Sequence, residues 1–516
     1  MTAATVPTEN DSSSAGCNVE CVGQRPALDQ YLKIGYVPAD DCHCWGGAAE
    51  TLEDSAADAG ISELASALGR DDVASEFRDR SAAWTNVFDP DATSDGGYMR
   101  NRNAGGTWTG ASFSPSTGSG FVEGSSARYT WMVYSDVAGL ASALGGKQAT
   151  VDRLDAFFRA DDGSFDFSAE DDTKYDPTNE PDINAPYLYD YVGAPYKTQE
   201  TVRAELDQLW TPDSGGIPGN DDAGTMSSWY VWSALGMYPQ DPTRADLVLT
   251  SPLFPRAVVH TGNGRTIDVN APAASSKNLY IKDVQVTGAP SNRPWVPASF
   301  VKKGGTLDYT LVAKAQKSWG KAAADAPPSD RSGEIPAFVR SSDPSVKVEP
   351  GSTAKTSLTM STMTGKQVRV RWSVEAPDGL KVTPASSAVT VPKSGEVTVP
   401  VTVKATKKAA DGVYTLPLIV TTTDGRRITA APLTVTVGTR GTLSWYVNNR
   451  GISASDDDPK ANFDGEGWSY SAAALADAGA TPAGRSRRTA STSRGPTSRQ
   501  ARPTTSWREA RTRCST

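Results

Sequence analysis

The first 240 residues alternate between stretches of helical periodicity and long polar loops. Ala49, Leu52 and Ala56 recur at spacings of three and four, and so do Ala57, Ile61, Leu64 and Leu68. This predicts a helix over 48–68 that stops at Gly69, with Gly60 as an internal weak point. Phe77, Ala82, Trp84 and Val87 give the apolar side of a second helix over 73–87. Further helices are predicted over 129–144, 151–158, 187–192 and 198–209, and a last one is opened by Gly219-Asn-Asp-Asp222. The intervening loops are rich in Gly, Asp, Asn and aromatics, and one carries Tyr98-Met-Arg-Asn-Arg102. Loops of that length are unusual in a compact domain unless they carry function. A ring of paired helices with a site built from loops at one end satisfies the pattern.

From Asp246 the period changes to near-alternation. The runs Leu247–Thr250, Arg256–His260, Thr266–Val269, Leu279–Val286 and Leu307–Val312 are split by Gly, Pro and Asn, and they predict an antiparallel β-sandwich. Residues 318–343 are rich in Ala, Pro, Asp and Ser and read as a linker. A separate β module follows at 344–438, with about seven short strands, which is an immunoglobulin-like count. It contains no cysteine.

The ends read differently. Residues 1–29 form an irregular start, and Met1–Ser14 lacks the apolar core of a signal peptide. Residues 439–480 open as another β domain and then lose pattern. Residues 481–516 hold nine Arg, no Lys and one acid. A nucleic-acid-binding tail is one reading of that composition; a reading-frame error in GC-rich coding DNA, leaving a basic disordered tail, accounts better for the abrupt switch.

Composition narrows the chemistry. A chain of 516 residues has room for two to four domains. The net charge of -9 argues against non-specific nucleic-acid binding. No run of about 18 apolar residues exists to span a membrane. Cys17, Cys21, Cys42 and Cys44 cluster with His43, but Cys-x-Cys is tighter than the usual zinc spacing, so disulfides or free thiols are the preferred reading. His43 and His260 are the only histidines, so acid–base chemistry falls mainly to carboxylates.

Two loops place carboxylates between glycines and just ahead of aromatic-rich helices. Glu123 lies in Gly120-Phe-Val-Glu-Gly124, and Asp221 and Asp222 lie in Gly219-Asn-Asp-Asp-Ala-Gly224. Asp221 and Asp222 also read simply as a helix cap and a surface acidic pair. Glycoside hydrolysis needs two carboxyl groups flanking the scissile bond, and these loops supply them. Oxygens of Asn179 and Glu180 with the acidic pair suit a hard cation such as calcium. The Trp and Tyr residues of the same loops offer stacking faces for sugar rings.

These stretches resemble glycoside hydrolase family 92, the calcium-dependent inverting exo-α-mannosidases. The resemblance rests on Gly219–Pro239, Thr51-Leu-Glu-Asp54, Met99-Arg-Asn-Arg102, Phe121-Val-Glu-Gly124 with Tyr129-Thr-Trp131, and Asn179-Glu-Pro181 with Gly193–Gln199. It covers about residues 30–315. It implies a partial (α/α)6 toroid over 30–240 and a β-sandwich part of the hydrolase over 241–317. It further implies Glu123 as general acid and Asp222 as general base, with Asp221 or Asn220 assisting. Asn179, Glu180, Asn220, Arg100 and Trp131 would meet substrate, and Asn179 and Asp222 would lie at the calcium. A partly apolar setting around Glu123 would raise its pKa into the working range. The expected partners are mannose-containing glycans or glycoproteins, and the expected protein is a monomer, secreted or on a bacterial cell surface.

Departures from the family pattern also stand in the sequence. Its N-terminal β-sandwich is not in this chain, which on this reading begins inside the toroid. Arg128 stands where the family commonly has Gln, and Lys174–Thr178 lacks the His-Glu pair associated with α-1,2 preference, so the linkage is open. The 344–438 module resembles a NEW3-type domain, and 443–474 resembles the start of a carbohydrate-binding jelly roll. An inactive or carbohydrate-binding fragment is the alternative to an active enzyme.

Overall fold

The computed structural model describes residues 2–13, 23–42, 44–110, 112–330, 337–341, 346–361, 367–393, 396–423, 427–428, 430 and 433–438. The readings placed on 14–22, on His43 and on everything from 439 onward, including the basic tail, Cys17, Cys21 and Cys514, lie outside the described residues.

Helices dominate the first part: α1 (Leu28–Ile34), α2 (Gly47–Ala67), α3 (Asp71–Arg80), α4 (Ser126–Tyr129), α5 (Val137–Ala143), α6 (Lys147–Phe158), α7 (Pro195–Leu209) and α8 (Thr225–Ala234). α2 runs unbroken through Gly60, which meets nothing nearer than the Thr243 side chain. The helix expected over 129–144 is two short pieces instead. Asp136 restarts the chain by accepting the Gly139 N–H at 3.2 Å, and only a glycine fits against that carboxylate. The second predicted helix gives way to a 3-10 segment, Ser81–Asn86, that places Trp84 in the core. The expected helix at 187–192 is likewise 3-10, Ala185–Asp190.

The loop after Val87 is a hairpin that periodicity did not reveal. β1 (Phe88–Thr93) pairs antiparallel with β2 (Gly96–Met99), and Gly97 allows the Phe88 ring to lie against the backbone. The helical core buries Leu52, Trp84, Trp131, Leu154, Phe158, Tyr187 and Trp229. One ion-pair network pins the N-terminal segment to α2. Asp58, fully buried, accepts from Arg25 at 2.7 Å, from Arg80 at 2.9 Å and from the Tyr31 hydroxyl at 3.1 Å.

The next strands are β3 (Met237–Tyr238), β4 (Leu247–Leu249), β5 (Arg256–His260), β6 (Thr266–Asn270), β7 (Tyr280–Val286), β8 (Ala289–Ser291), β9 (Trp295–Val296) and β10 (Gly305–Val312); β4, β5, β6, β7 and β10 match the alternating runs, and the short β3, β8 and β9 were not read from the sequence. Five of them form a sheet in the order β5-β6-β10-β7-β8. It is not wholly antiparallel as expected, because β10 enters between β6 and β7 and runs parallel to β6. The stretch after 318 is packed down as well as linking: Trp319 is buried, and Ser329 and Asp330 bond to the Ser135 carbonyl.

A second β region has its own core of Leu358, Val370, Trp372, Val403, Leu416 and Val435. Its longest pairing joins Thr353–Ser361 to Glu396–Ala405. Trp372, on Val368–Val374, lies between Ser387 and Val420 of the neighbouring strands.

Candidate active site

Three loops touch in series, the first of them packed on the N-terminus of α2. The first is Gly118–Gly124. Gly120, at φ 92°, lies against the Asn101 side chain, and a Cβ on Gly46 would strike the Gly120 backbone. The Ala49 N–H donates to the Gly120 carbonyl at 3.0 Å. Phe121 turns inward against Tyr129, whose hydroxyl donates to the Val122 carbonyl at 2.8 Å. With its neighbours tied inward, Glu123 is left exposed at a left-handed φ of 52°.

The second loop is Asp176–Glu180. Asp176 accepts the Thr178 N–H at 2.9 Å and its hydroxyl at 2.6 Å, a turn held by the side chain itself. The amide of Asn179 donates to the Glu123 carbonyl at 2.8 Å. The third loop, Gly219–Gly224, packs on the second: Gly219, at φ 64°, has no room for a Cβ against the Thr178 carbonyl. The second loop therefore touches both of the others.

Asp221 and Asp222 have different occupations. The Asp221 carboxylate accepts the Ser227 N–H at 2.8 Å and the Ser227 hydroxyl at 2.9 Å, which caps the first turn of α8. Asp222 is exposed at φ 34°, and its carboxylate has no hydrogen-bond partner among the described residues. Of the non-glycine residues at positive φ, two are the candidate carboxylates Glu123 and Asp222. Left-handed backbone at such residues costs of order 1–3 kcal/mol each and clusters at functional sites.

The remaining expected site residues divide. Asn220 is exposed beside Asp222, and Asn179 and Glu180 are half-buried in the second loop. Arg100 is committed elsewhere: it pairs with Asp89 at 3.1 Å, donates to the Thr109 and Gly110 carbonyls and lies over Phe113. Trp131 is a correction. It is 1% exposed against Phe157, so it offers no face to a sugar. Trp229 likewise stacks on Trp210 inside the fold. Aromatic residues near the loops fill the core because their area is worth most there; the indole left open is Trp45, 71% exposed beside Gly46.

The enclosure expected around Glu123 is not formed by the described residues, since the side chain is exposed. Perturbed groups lie on α2 and at Tyr129. Burial, then the charges of Asp54 and Glu53, pushes Glu50 up to about 8. Burial, partly offset by Arg25, pushes Asp54 up to about 7. The Tyr129 phenol is raised by burial and by the charges of Glu53 and Glu123, so both carboxylates face it. Glu53 belongs to the Thr51-Leu-Glu-Asp54 stretch, and its position one residue before a buried Asp was the signal available for it.

Asp222 supplies an unpartnered carboxylate, while the Asn179 amide oxygen already accepts the Glu180 N–H at 3.1 Å. Calcium takes 6–8 oxygens. Among the described residues, no group of three or more His, Cys, Asp or Glu side chains is placed to hold a metal. These residues do not by themselves build a calcium cage. Cys42 and Cys44 are joined as a disulfide, so neither sulfur is free as a zinc ligand.

The sequence profile of the glycosyl hydrolase family 92 catalytic domain matches residues 2–313. The chain belongs to glycosyl hydrolase family 92. Among solved structures, a family 92 inverting mannosidase from Bacteroides thetaiotaomicron is 30% identical with a TM-score of 0.53, covering 62% of this chain and 44% of that one. A second family 92 α-mannosidase from the same organism is 29% identical with a TM-score of 0.55, covering 60% and 40%; it has also been solved with mannoimidazole. A secreted glycosidase from Arthroderma benhamiae, uncharacterized, is 29% identical over 59% of this chain and 41% of its own length. The family 92 chain described here thus spans about two fifths of the length of these relatives. Its helical catalytic part followed by a β-rich region agrees with these neighbours.

Proposed function

We propose that this family 92 chain carries the chemistry of an exo-α-mannosidase that removes terminal α-linked mannose from mannose-rich glycans with inversion. One observation supports this most: the two candidate carboxylates stand exposed at strained backbone positions, on loops joined through Thr178 and Asn179. Glu123 protonates the departing glycosidic oxygen. Asp222 takes a proton from the water that attacks the anomeric carbon from the opposite face. An inverting pair leaves room for that water, with carboxyl groups about 6.5–9.5 Å apart. Asp221 holds the start of α8 and so the direction of Asp222. Asn179 fixes the Glu123 backbone, while Glu180 and Asn220 border the sugar.

Calcium is expected from family membership, while the described residues do not by themselves build its cage. Membership, which covers residues 2–313, supports the partial (α/α)6 ring, and the secreted relative supports a secreted or cell-surface setting; the NEW3-type immunoglobulin-like module at 344–438, the domain boundaries and a monomer are expectations from the sequence alone. The second reading, an inactive or sugar-binding fragment, is favoured by the exposure of Glu123, which the described residues do not enclose.

The test is mannose release from an aryl α-mannoside and from linked mannobioses, with and without a calcium chelator. Release that disappears in Glu123→Gln supports the enzyme. Saturable mannoside binding without release supports the fragment.

A further inference from the structure

Arg128 is 6% exposed and points into the acidic loop 169–176. Its Nε donates to the Lys174 carbonyl at 3.1 Å, and one Nη donates to the Ala169 carbonyl at 3.1 Å and the Asp171 carbonyl at 3.4 Å. The other Nη meets Asp176 at 3.3 Å and Asp172 at 3.4 Å. Ser125, three residues before Arg128, donates to the Asp172 carbonyl. A planar guanidinium with five fixed donors can gather carbonyls and carboxylates in this way; an amide cannot.

The carboxylate at the far end of this brace has a second task. Asp176, through its other oxygen, holds Thr178, and Thr178 abuts Gly219 of the Asp222 loop. The next residue, Asn179, holds the Glu123 carbonyl. The chain of contacts runs from Arg128 to Asp176, then to Thr178 and Asn179, and from there to both carboxylate loops. Arg128 is also on the segment that follows Glu123, so the brace closes a ring through α4.

We infer that Arg128 and Asp176 form a positioning pair that sets the placement of the Glu123 loop relative to the Asp222 loop. This rests on the glycosidase reading for its consequence in turnover, but not for its geometry. Neither residue touches the sugar. Each acts through the 176–179 turn.

Amide hydrogen exchange on the full chain tests the pair without needing activity. Arg128→Ala should speed exchange by about tenfold or more at Phe121 and at Gly224, which Arg128 does not touch, together with the 169–180 segment. Asp176→Asn keeps an acceptor for Thr178 and loses the charge, so it should give the same pattern in weaker form; it carries the test if Arg128→Ala does not fold. Millimolar guanidinium should restore slow exchange in Arg128→Ala, as a filled cavity would and a generally loosened fold would not. Faster exchange confined to 169–176, with Phe121 and Gly224 at wild-type rates in both variants, overturns the pairing. Where the wild-type chain releases mannose, both variants should lower kcat by about 10- to 100-fold with KM within about twofold, since misplacement near 1 Å costs that much. A wild-type chain that releases nothing, with the exchange pattern intact, sinks the glycosidase reading and leaves the pair standing.

Discussion

The helical part and the second β region both bury apolar cores, but they differ in what else they bury. In the helical part and its adjoining loops, Asp54, Asp58, Asp182, Asp190, Glu205 and Asp241 are each at most 5% exposed. In the second β region the buried polar residues are Thr356, Thr359 and Thr422. Backbone strain divides the same way: every non-glycine residue at positive φ lies between Ala27 and Thr287, and none lies in the second β region among the described residues. A buried carboxylate costs several kcal/mol unless paired or protonated, so a segment that only has to pack avoids it. The β region reads as such a segment. The helical part keeps features that weaken it, and three of the strained residues, Glu123, Asp222 and Ala223, lie in the loops of the candidate site.

The largest expected effects separate the two regions by activity. Glu123→Gln and Asp222→Asn should each lower kcat by about 10²- to 10⁴-fold, the span of general acid–base catalysis. Both side chains are exposed, so thermal unfolding should stay close to wild type. In the second β region, Trp372→Ala should do the opposite. Trp372 is 2% exposed, and its loss should cost about 3–5 kcal/mol of that region's stability. Mannose release measured well below the unfolding temperature should persist. A fall in kcat as deep as that of Glu123→Gln would mean that the two regions are not functionally separable.

Legibility in the sequence followed the same division. Strands with strict alternation, such as Val368–Val374 and Thr266–Asn270, could be placed within a residue or two because one face is buried and the other is wet. Helix α2 was equally plain from its spacing. The β1–β2 hairpin was not, because Phe88-Asp-Pro-Asp-Ala-Thr93 alternates poorly and its packing depends on Gly97 meeting a ring from its partner strand. At the candidate site, the exposed, tightly turned placement of Glu123 and Asp222 was legible from their flanking glycines. The cap at Asp221 was one of the two readings of the acidic pair, while the contacts of Arg100 and Trp131 were not legible. Ion pairing and core stacking depend on Asp89 and Phe157, which periodicity does not connect to them.

A smaller effect follows from the buried acids. Glu50 is pushed up to about 8, Asp54 to about 7 and Asp330 to about 6, mainly by burial in each case. A carboxyl whose pKa is raised by folding binds its proton more tightly in the folded state. Its stabilising contribution is full below the ordinary value near 4 and is lost as pH rises through the folded value. The helical part should therefore lose stability between about pH 5 and 8. The second β region buries no carboxylate among the described residues and should show no matching slope. Calorimetry across that range resolves the two. Glu50→Gln should flatten the upper end, between about pH 7 and 8, and an unchanged slope there would remove Glu50 from the account.

The smallest effect is the sharpest test of why the strain is kept. Asp222, Ala223 and Gly224 follow one another at φ 34°, 57° and 92°. Glycine at the first of these relieves about 1–2 kcal/mol of steric cost and loses about 0.5–1 kcal/mol to the greater freedom of the unfolded chain. Asp222→Gly should thus hold or raise stability, by up to about 1.5 kcal/mol, while ending mannose release. Thr287→Gly, at φ 51° in the β7–β8 turn, should shift stability in the same direction and leave release unchanged. That contrast would show that Asp222 is kept at a strained position for what its carboxylate does in the reaction. A loss of about 1 kcal/mol or more in Asp222→Gly would say instead that the side chain holds the loop. Asp222 would then join Asp221 as part of the cap of α8, and the base would have to be sought on another loop.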